Sequence, residues 1–128
     1  MSDRREYSTG TTWEETFGYS RAVRIGDQIR VSGTSAVEDG EVVGVDDPYQ
    51  QARHILETIG ESLAELDAGP EDVILTRIYV ADFSLWEPIG DAHREFFGDV
   101  RPATTLIEVE TLPRPELLLE IEAEAVNH

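Results

Sequence analysis

Residues 101–126, RPATTLIEVETLPRPELLLEIEAEAV, read as two β-strands joined by a proline-containing turn. In the first strand Ala103, Thr105, Ile107 and Val109 share one face, and Thr104, Leu106 and Glu108 share the other. In the second, Leu117, Leu119, Ile121, Ala123 and Ala125 alternate with Leu118, Glu120, Glu122 and Glu124. Alternation with period 2 marks strands that lay one face on a core. The pair reads as a C-terminal hairpin. Either its acidic face simply meets water, or Thr104 and Glu120, placed on one face by this reading, line a common site.

Upstream, SRAVRI and QIRVSG flank Gly26-Asp27, which predicts a tight hairpin. Gly33 ends the second run, where a bulge or a close backbone approach is expected. Glu38-Asp39-Gly40-Glu41 signals another turn before a short strand at Val42-Val43. Asp47 suits an N-cap, Pro48 the first helical position and Gln50 the capping-box position. Ala52, Ile55, Leu56, Ile59, Leu63 and Leu66 then recur at helical spacing as far as Gly69-Pro70. Gly60 within this helix implies close packing, assigned here to the sheet. VILTRIYV, residues 73–80, reads as a central strand; Ser84 and Glu87 suggest the cap of a second helix, carrying Ile89, Ala92, His93 and Phe96 on one side and ending at Gly98.

The order β-β-β-α-β-α-β-β predicts an α+β fold, a single mixed sheet with two helices on one face. Residues 1–18 read as an N-terminal arm anchored by Trp13, with a ligand contact as the alternative role for that tryptophan, and residues 19–128 as one domain. The uncovered sheet face, to which Leu106 and Leu118 are assigned, favours a symmetric homo-oligomer.

Acidic residues number 27 against 10 basic ones, a net charge of −17, and every basic residue apart from histidine is arginine. A surface this negative repels nucleic acid and anionic membranes, so neither is expected as a partner. It reads as adaptation to a high-salt cytoplasm, where screening weakens self-repulsion. With no cysteine, thiolate catalysis and cysteine metal sites are excluded. His54, His93 and His128 lack metal-ligand spacing, so no metal is expected, and no cofactor motif is present. No apolar run is long enough for a membrane span.

The residues left to carry chemistry are Tyr19, Arg21, Arg101, Thr104, Glu120 and the backbone at Gly33. A glutamate on a partly desolvated strand can serve as general acid or base, and an arginine can clamp a carboxylate with two parallel hydrogen bonds. The alternative places Glu120 in a solvated row with Glu122 and Glu124.

The segments GYSRAVRIGDQIRVSGTSAV, RIYVADFSLWEPIGDAHREFF and residues 101–126 resemble the Rid family (RidA/YjgF, endoribonuclease L-PSP-like), and the likeness covers nearly the whole chain from Tyr19 onward. The resemblance implies a chorismate-mutase-like α+β fold assembled as a homotrimer, with clefts between subunits. It further implies a small-molecule ligand and hydrolysis of enamines or imines to 2-oxo acids and ammonia. In that chemistry an arginine holds the substrate carboxylate, while a glutamate and a backbone carbonyl position the attacking water. The family's tyrosine falls on Tyr19, its glycine on Gly33 and its glutamate on Glu120. Its arginine position is Thr104, and a further asparagine position, in the second helix, is Gly90. The turn at Pro113-Arg114-Pro115 is one residue longer than the family pattern.

Threonine carries no charge and cannot neutralise a carboxylate. The resemblance therefore implies a branch with an altered substrate, or a non-catalytic module that binds a metabolite; the RNA cleavage in the older family label fits the charge least. Arg21, two residues from Tyr19 and on the same strand face, is the candidate replacement cation, with a surface ion pair to one of the many carboxylates as the alternative reading.

Overall fold

The computed structural model describes residues 3–128. Its longest helix, α2 (Pro48–Glu65), starts where the capping residues predict: the Asp47 carboxylate accepts from the Gln50 N–H at 3.0 Å. Ala52, Ile55, Leu56, Ile59 and Leu63 are wholly buried along its inner face. Taking each of the larger chains out of water contributes about 1.5–3 kcal/mol. The helix ends at Leu66, before Asp67 turns into the left-handed region at φ 63°. Gly69-Pro70 begins a separate short turn instead of ending α2.

A second long helix, α3 (Trp86–Phe97), packs beside α2 and ends at Gly98 as predicted. Its start differs from the prediction. No side chain caps α3 itself, whose N-cap is Leu85; Asp82 instead caps the short turn Phe83–Leu85 that leads into it, accepting from the Ser84 N–H at 2.9 Å. Gly60 packs closely against α3 and not the sheet: a β-carbon there would stand 3.3 Å from Cζ of Phe96.

The main sheet contains β1 (Arg4–Tyr7), β2 (Ala22–Ile25), β3 (Gln28–Thr34), β6 (Val73–Val80), β7 (Ala103–Glu108) and β8 (Leu119–Val126). Its order is β1-β2-β3-β8-β6-β7, antiparallel except for the β6–β7 pair. Two short strands, β4 (Val37–Glu38) and β5 (Glu41–Val42), form a separate hairpin. The predicted mixed sheet and two-helix layer are present. Ile29, Val31, Ile78, Val80, Leu119, Ile121, Ala123 and Ala125 from the sheet join the apolar faces of α2 and α3 in one core.

The C-terminal strands do not form a hairpin. β6 lies between them, antiparallel to β8 and parallel to β7, with α3 supplying the crossover that a parallel pair requires. This changes which side chains can meet. Thr104 is level with Thr76 on β6, whereas Glu120 is level with Tyr79. Positions 76 and 79 are three apart on a strand, so Thr104 and Glu120 project from opposite faces of the sheet. Leu106, level with the buried Ile78, and Leu118 both pack against the core and do not form an apolar outer face. The outer face is ionic instead. Arg77 lies 3.0 Å from Glu124 and 3.5 Å from Glu122, Arg30 reaches Glu124 at 3.5 Å, and Tyr79 donates to Glu122.

The N-terminal segment is also more ordered than the predicted loose arm. Residues 4–7 add an edge strand to β2, and a short helix, α1 (Thr12–Phe17), follows. Trp13 does not anchor it to the core; it is 52% exposed and stacks edge-on against Phe17.

Candidate functional site

A cavity of about 730 Å³ opens where β3 runs out and β8 begins. Its walls come from α1 and the loop before it, the end of β3, the β4–β5 hairpin, α2 at Thr58 and the turn before β8. Of the residues singled out in the sequence, Tyr19, Arg21, Gly33 and Glu120 line it, while Thr104, Gly90 and Arg101 do not.

Local chemistry explains α1. Gly10 and Gly18 take positive φ on either side of it, and the Thr11 hydroxyl caps it by accepting from the Glu14 N–H at 3.2 Å. Glu14, only 4% exposed, accepts from the Thr9 N–H at 2.9 Å, the Thr11 hydroxyl at 3.0 Å and the Thr9 hydroxyl. Burial alone would raise its carboxyl pKa, but these hydrogen bonds and the nearby Arg21 charge outweigh burial and hold it below the usual value.

Arg21 completes the cluster. It is 6% exposed; Nη1 donates to the Gly33 carbonyl at 2.6 Å and the Thr34 hydroxyl at 3.1 Å. Nη2 reaches Glu14 at 3.3 Å and the Tyr19 hydroxyl at 3.4 Å, and the guanidinium lies 5.6 Å from the Tyr19 ring centre. The arginine therefore holds the cavity wall together, with its charge matched by a buried carboxylate.

Gly33 allows Glu120 into the same wall. β3 shifts register against β8 between Val31 and Thr34, the irregularity predicted at the glycine. A β-carbon on Gly33 would stand 2.4 Å from Oε1 of Glu120, inside any tolerable contact, so the carboxylate can occupy its place only beside glycine. Its other oxygen accepts from Ser35 Oγ at 3.3 Å. Glu120 is thus held between a backbone and a hydroxyl, with the cavity in front of it.

Thr104 belongs to a different cluster. Its hydroxyl lies 2.8 Å from that of Thr76 and donates to the Pro102 carbonyl at 3.0 Å; Thr76 also meets His93 Nε2 at 2.9 Å. Burial pushes the His93 pKa down. Gly90 sits on α3 with open space where a side chain would project.

The chain as a whole matches a family of known proteins. Residues 11–127 match the family described as Endoribonuclease L-PSP. The chain belongs to this family, the YjgF/RidA (Rid) group. Among solved Rid structures, it is similar to a Mycobacterium tuberculosis protein described as a member of the YjgF/YER057c/UK114 family. That pair shares 42% identity with a TM-score of 0.89, covering 98% of this chain and 100% of that one. An uncharacterised protein of Streptomyces coelicolor is 40% identical over 121 residues, 94% of this chain and 90% of that protein. The 3-aminoacrylate deaminase RutC of Acinetobacter baylyi is 33% identical over 104 residues, 80% of this chain and 82% of the enzyme. No helix among the described residues is long and apolar enough to cross a membrane.

The cavity is also lined by Ser35, Arg114 and Phe17, which the sequence did not single out, and by Trp13, read there as an anchor; Glu14 contacts its wall through Arg21. Thr11-x-x-Glu14, bracketed by Gly10 and Gly18, is a helix-start signature that could have located α1 and its buried acid. Nothing local marks Ser35, whose role depends on a strand 85 residues away.

Proposed function

We propose that this chain is a small-molecule hydrolase of the deaminase type, acting on an enamine or imine. The observation that carries the reading is the Glu120 carboxylate, seated over Gly33 and bonded to Ser35 at the wall of a cavity. A carboxylate so held can take a proton from water as the water adds to a C=N carbon, then return it to the departing nitrogen. The adduct collapses to a carbonyl compound and ammonia, so atoms balance with water as the only co-reactant. Tyr19 shapes the cavity beside Glu120, and Arg21 holds the Gly33 carbonyl in place.

Thr104 and Glu120 face opposite sides of the sheet, so they can line one cleft only when supplied by neighbouring copies. A homotrimer with intersubunit clefts, as the family resemblance implies, would meet that condition. Thr104 in place of a clamping arginine supports an altered substrate.

The test is ammonia release from freshly generated enamines and imines by wild type and Glu120→Gln. Turnover in wild type with a loss of about 10²-fold or more in the variant is the expected result. Equal rates would refute the catalytic assignment. A non-catalytic metabolite-binding module is the second reading, favoured by the absence of charge at Thr104 and the internal pairing of Arg21 with Glu14. Ligand binding without ammonia release from any enamine or imine would select it. RNA cleavage fits least, because a net charge of −17 opposes a polyanionic substrate.

A further inference from the structure

Among the described residues two cations line the cavity, Arg21 and Arg114, and they differ in what they have left to offer. Arg21 is buried and shares its guanidinium among Glu14, Tyr19, Thr34 and the Gly33 carbonyl. Arg114 sits on the turn between β7 and β8. Its Nη1 donates to the Gly40 carbonyl at 2.7 Å, and its Nε lies 3.7 Å from a Glu116 carboxylate that is 43% exposed. Among the described residues, Nη2 of Arg114 makes no hydrogen bond. An exposed ion pair of that length contributes little and yields readily to a better-placed anion.

The turn itself is rigid. Pro113 and Pro115 flank the arginine, and its carbonyl accepts from the Leu117 N–H at 3.1 Å. Beneath it, the wholly buried Gln51 of α2 donates to the Glu116 carbonyl at 2.9 Å and accepts from the Leu118 N–H at 2.9 Å. The backbone that presents Arg114 is therefore pinned to the core on both sides of Leu117. The Gly40 contact draws the guanidinium across to the opposite wall of the cavity.

We propose that Arg114 is the anion-binding residue of this site and holds the carboxylate of a small ligand. The assignment rests on the hydrolase reading for the rest of the ligand, an enamine or imine bearing a carboxylate. It also explains how a carboxylate could bind beside Glu120 and Asp39 in a chain of charge −17: a fixed guanidinium with free N–H groups offers the bidentate geometry that a carboxylate prefers. Thr104 then need not clamp the ligand.

The test is calorimetric titration of the full-length protein with pyruvate, a carboxylate of the proposed product class, and with its uncharged methyl ester. Wild type should bind pyruvate in preference to the ester. Arg114→Met, which keeps the apolar stem, should weaken pyruvate by about tenfold or more and leave the ester unchanged. Arg114→Lys, which keeps the charge without the fork, should fall between and guards against a folding artefact. Arg101→Met, outside the cavity, should bind as wild type. Unchanged pyruvate binding in Arg114→Met, a loss carried by Arg101→Met, or no preference for pyruvate in wild type overturns the proposal. Ammonia release that needs Glu120 but survives Arg114→Met leaves the hydrolase reading standing and removes this one. Pyruvate bound through Arg114 with no ammonia release does the reverse.

Discussion

Two of the polar clusters in this fold, around Arg21 and around Thr104, differ in kind, and of these the Arg21 cluster faces the cavity. Around Arg21, a guanidinium in the cavity wall and the Glu14 carboxylate paired with it are both under a tenth exposed. Around Thr104, three neutral groups run from the half-buried His93 through the buried Thr76 to an exposed edge strand. The first cluster is charged yet internally satisfied. The second is uncharged and ends at the surface on the other side of the sheet. Neither leaves a free charge to receive a ligand, so recognition in the cavity passes to the groups with unused capacity, Glu120 and Arg114.

The sharpest way to break this comparison is to remove one member of the charged pair. Glu14→Ala leaves the Arg21 guanidinium buried without a counter-charge and frees the Thr9 and Thr11 hydroxyls. A destabilisation of about 3–5 kcal/mol is expected, read as a lower urea midpoint and melting temperature. Thr104→Val should cost about 1 kcal/mol or less, because its hydroxyl is exposed and neutral. Comparable losses in the two variants would mean that the Arg21 cluster is not the structural one.

A smaller effect on stability, but a pointed one on the site, is expected from Gly33→Ala. The added methyl collides with Oε1 of Glu120, the free end of a flexible side chain, so the carboxylate moves aside while β3 stays in place. Stability should fall by no more than about 1–3 kcal/mol. Ammonia release, or ligand binding in its absence, should approach the level of Glu120→Gln. A variant with unchanged activity would show that the observed carboxylate position is not the working one.

The difference between the clusters also marks how far the sequence could be read. Asp47-Pro48 and the apolar spacing after it are local signals, and α2 follows them closely. Gly33 was legible for the same reason: a glycine at the end of a strand pattern needs a cause, and here the cause is Glu120. Alternation within residues 101–126 correctly separated the two faces of each strand, but it carries no information about which strands are neighbours. Inserting β6 between β7 and β8 set Thr104 against Thr76 and Glu120 against Tyr79, and that register undid the shared face inferred from parity alone. The same long-range pairing moved Leu106 and Leu118 to the core, leaving an ionic outer face where an apolar one was expected. Arg21 could be recognised as important but not as internally paired, since Glu14 reaches it only through the left-handed turn at Gly18.

The weakest effect expected here concerns the neutral cluster and its response to pH. Burial lowers the His93 pKa below 6.5, so the imidazole stays neutral in the fold while the unfolded chain protonates more readily. The stability this contributes is present above about pH 6.5 and is lost as the pH falls below it, because there the unfolded state binds the extra proton. Urea midpoints at about pH 7.5 and 5.5 should therefore diverge more in wild type than in His93→Gln, which cannot titrate. Glu14 adds a separate loss only at lower pH, through the carboxylate range in which its protonation removes the partner of Arg21. The two clusters should thus fail in sequence on acidification, the neutral one first and slightly, the charged one later and more severely. An equal pH dependence in wild type and His93→Gln would detach the first step from His93.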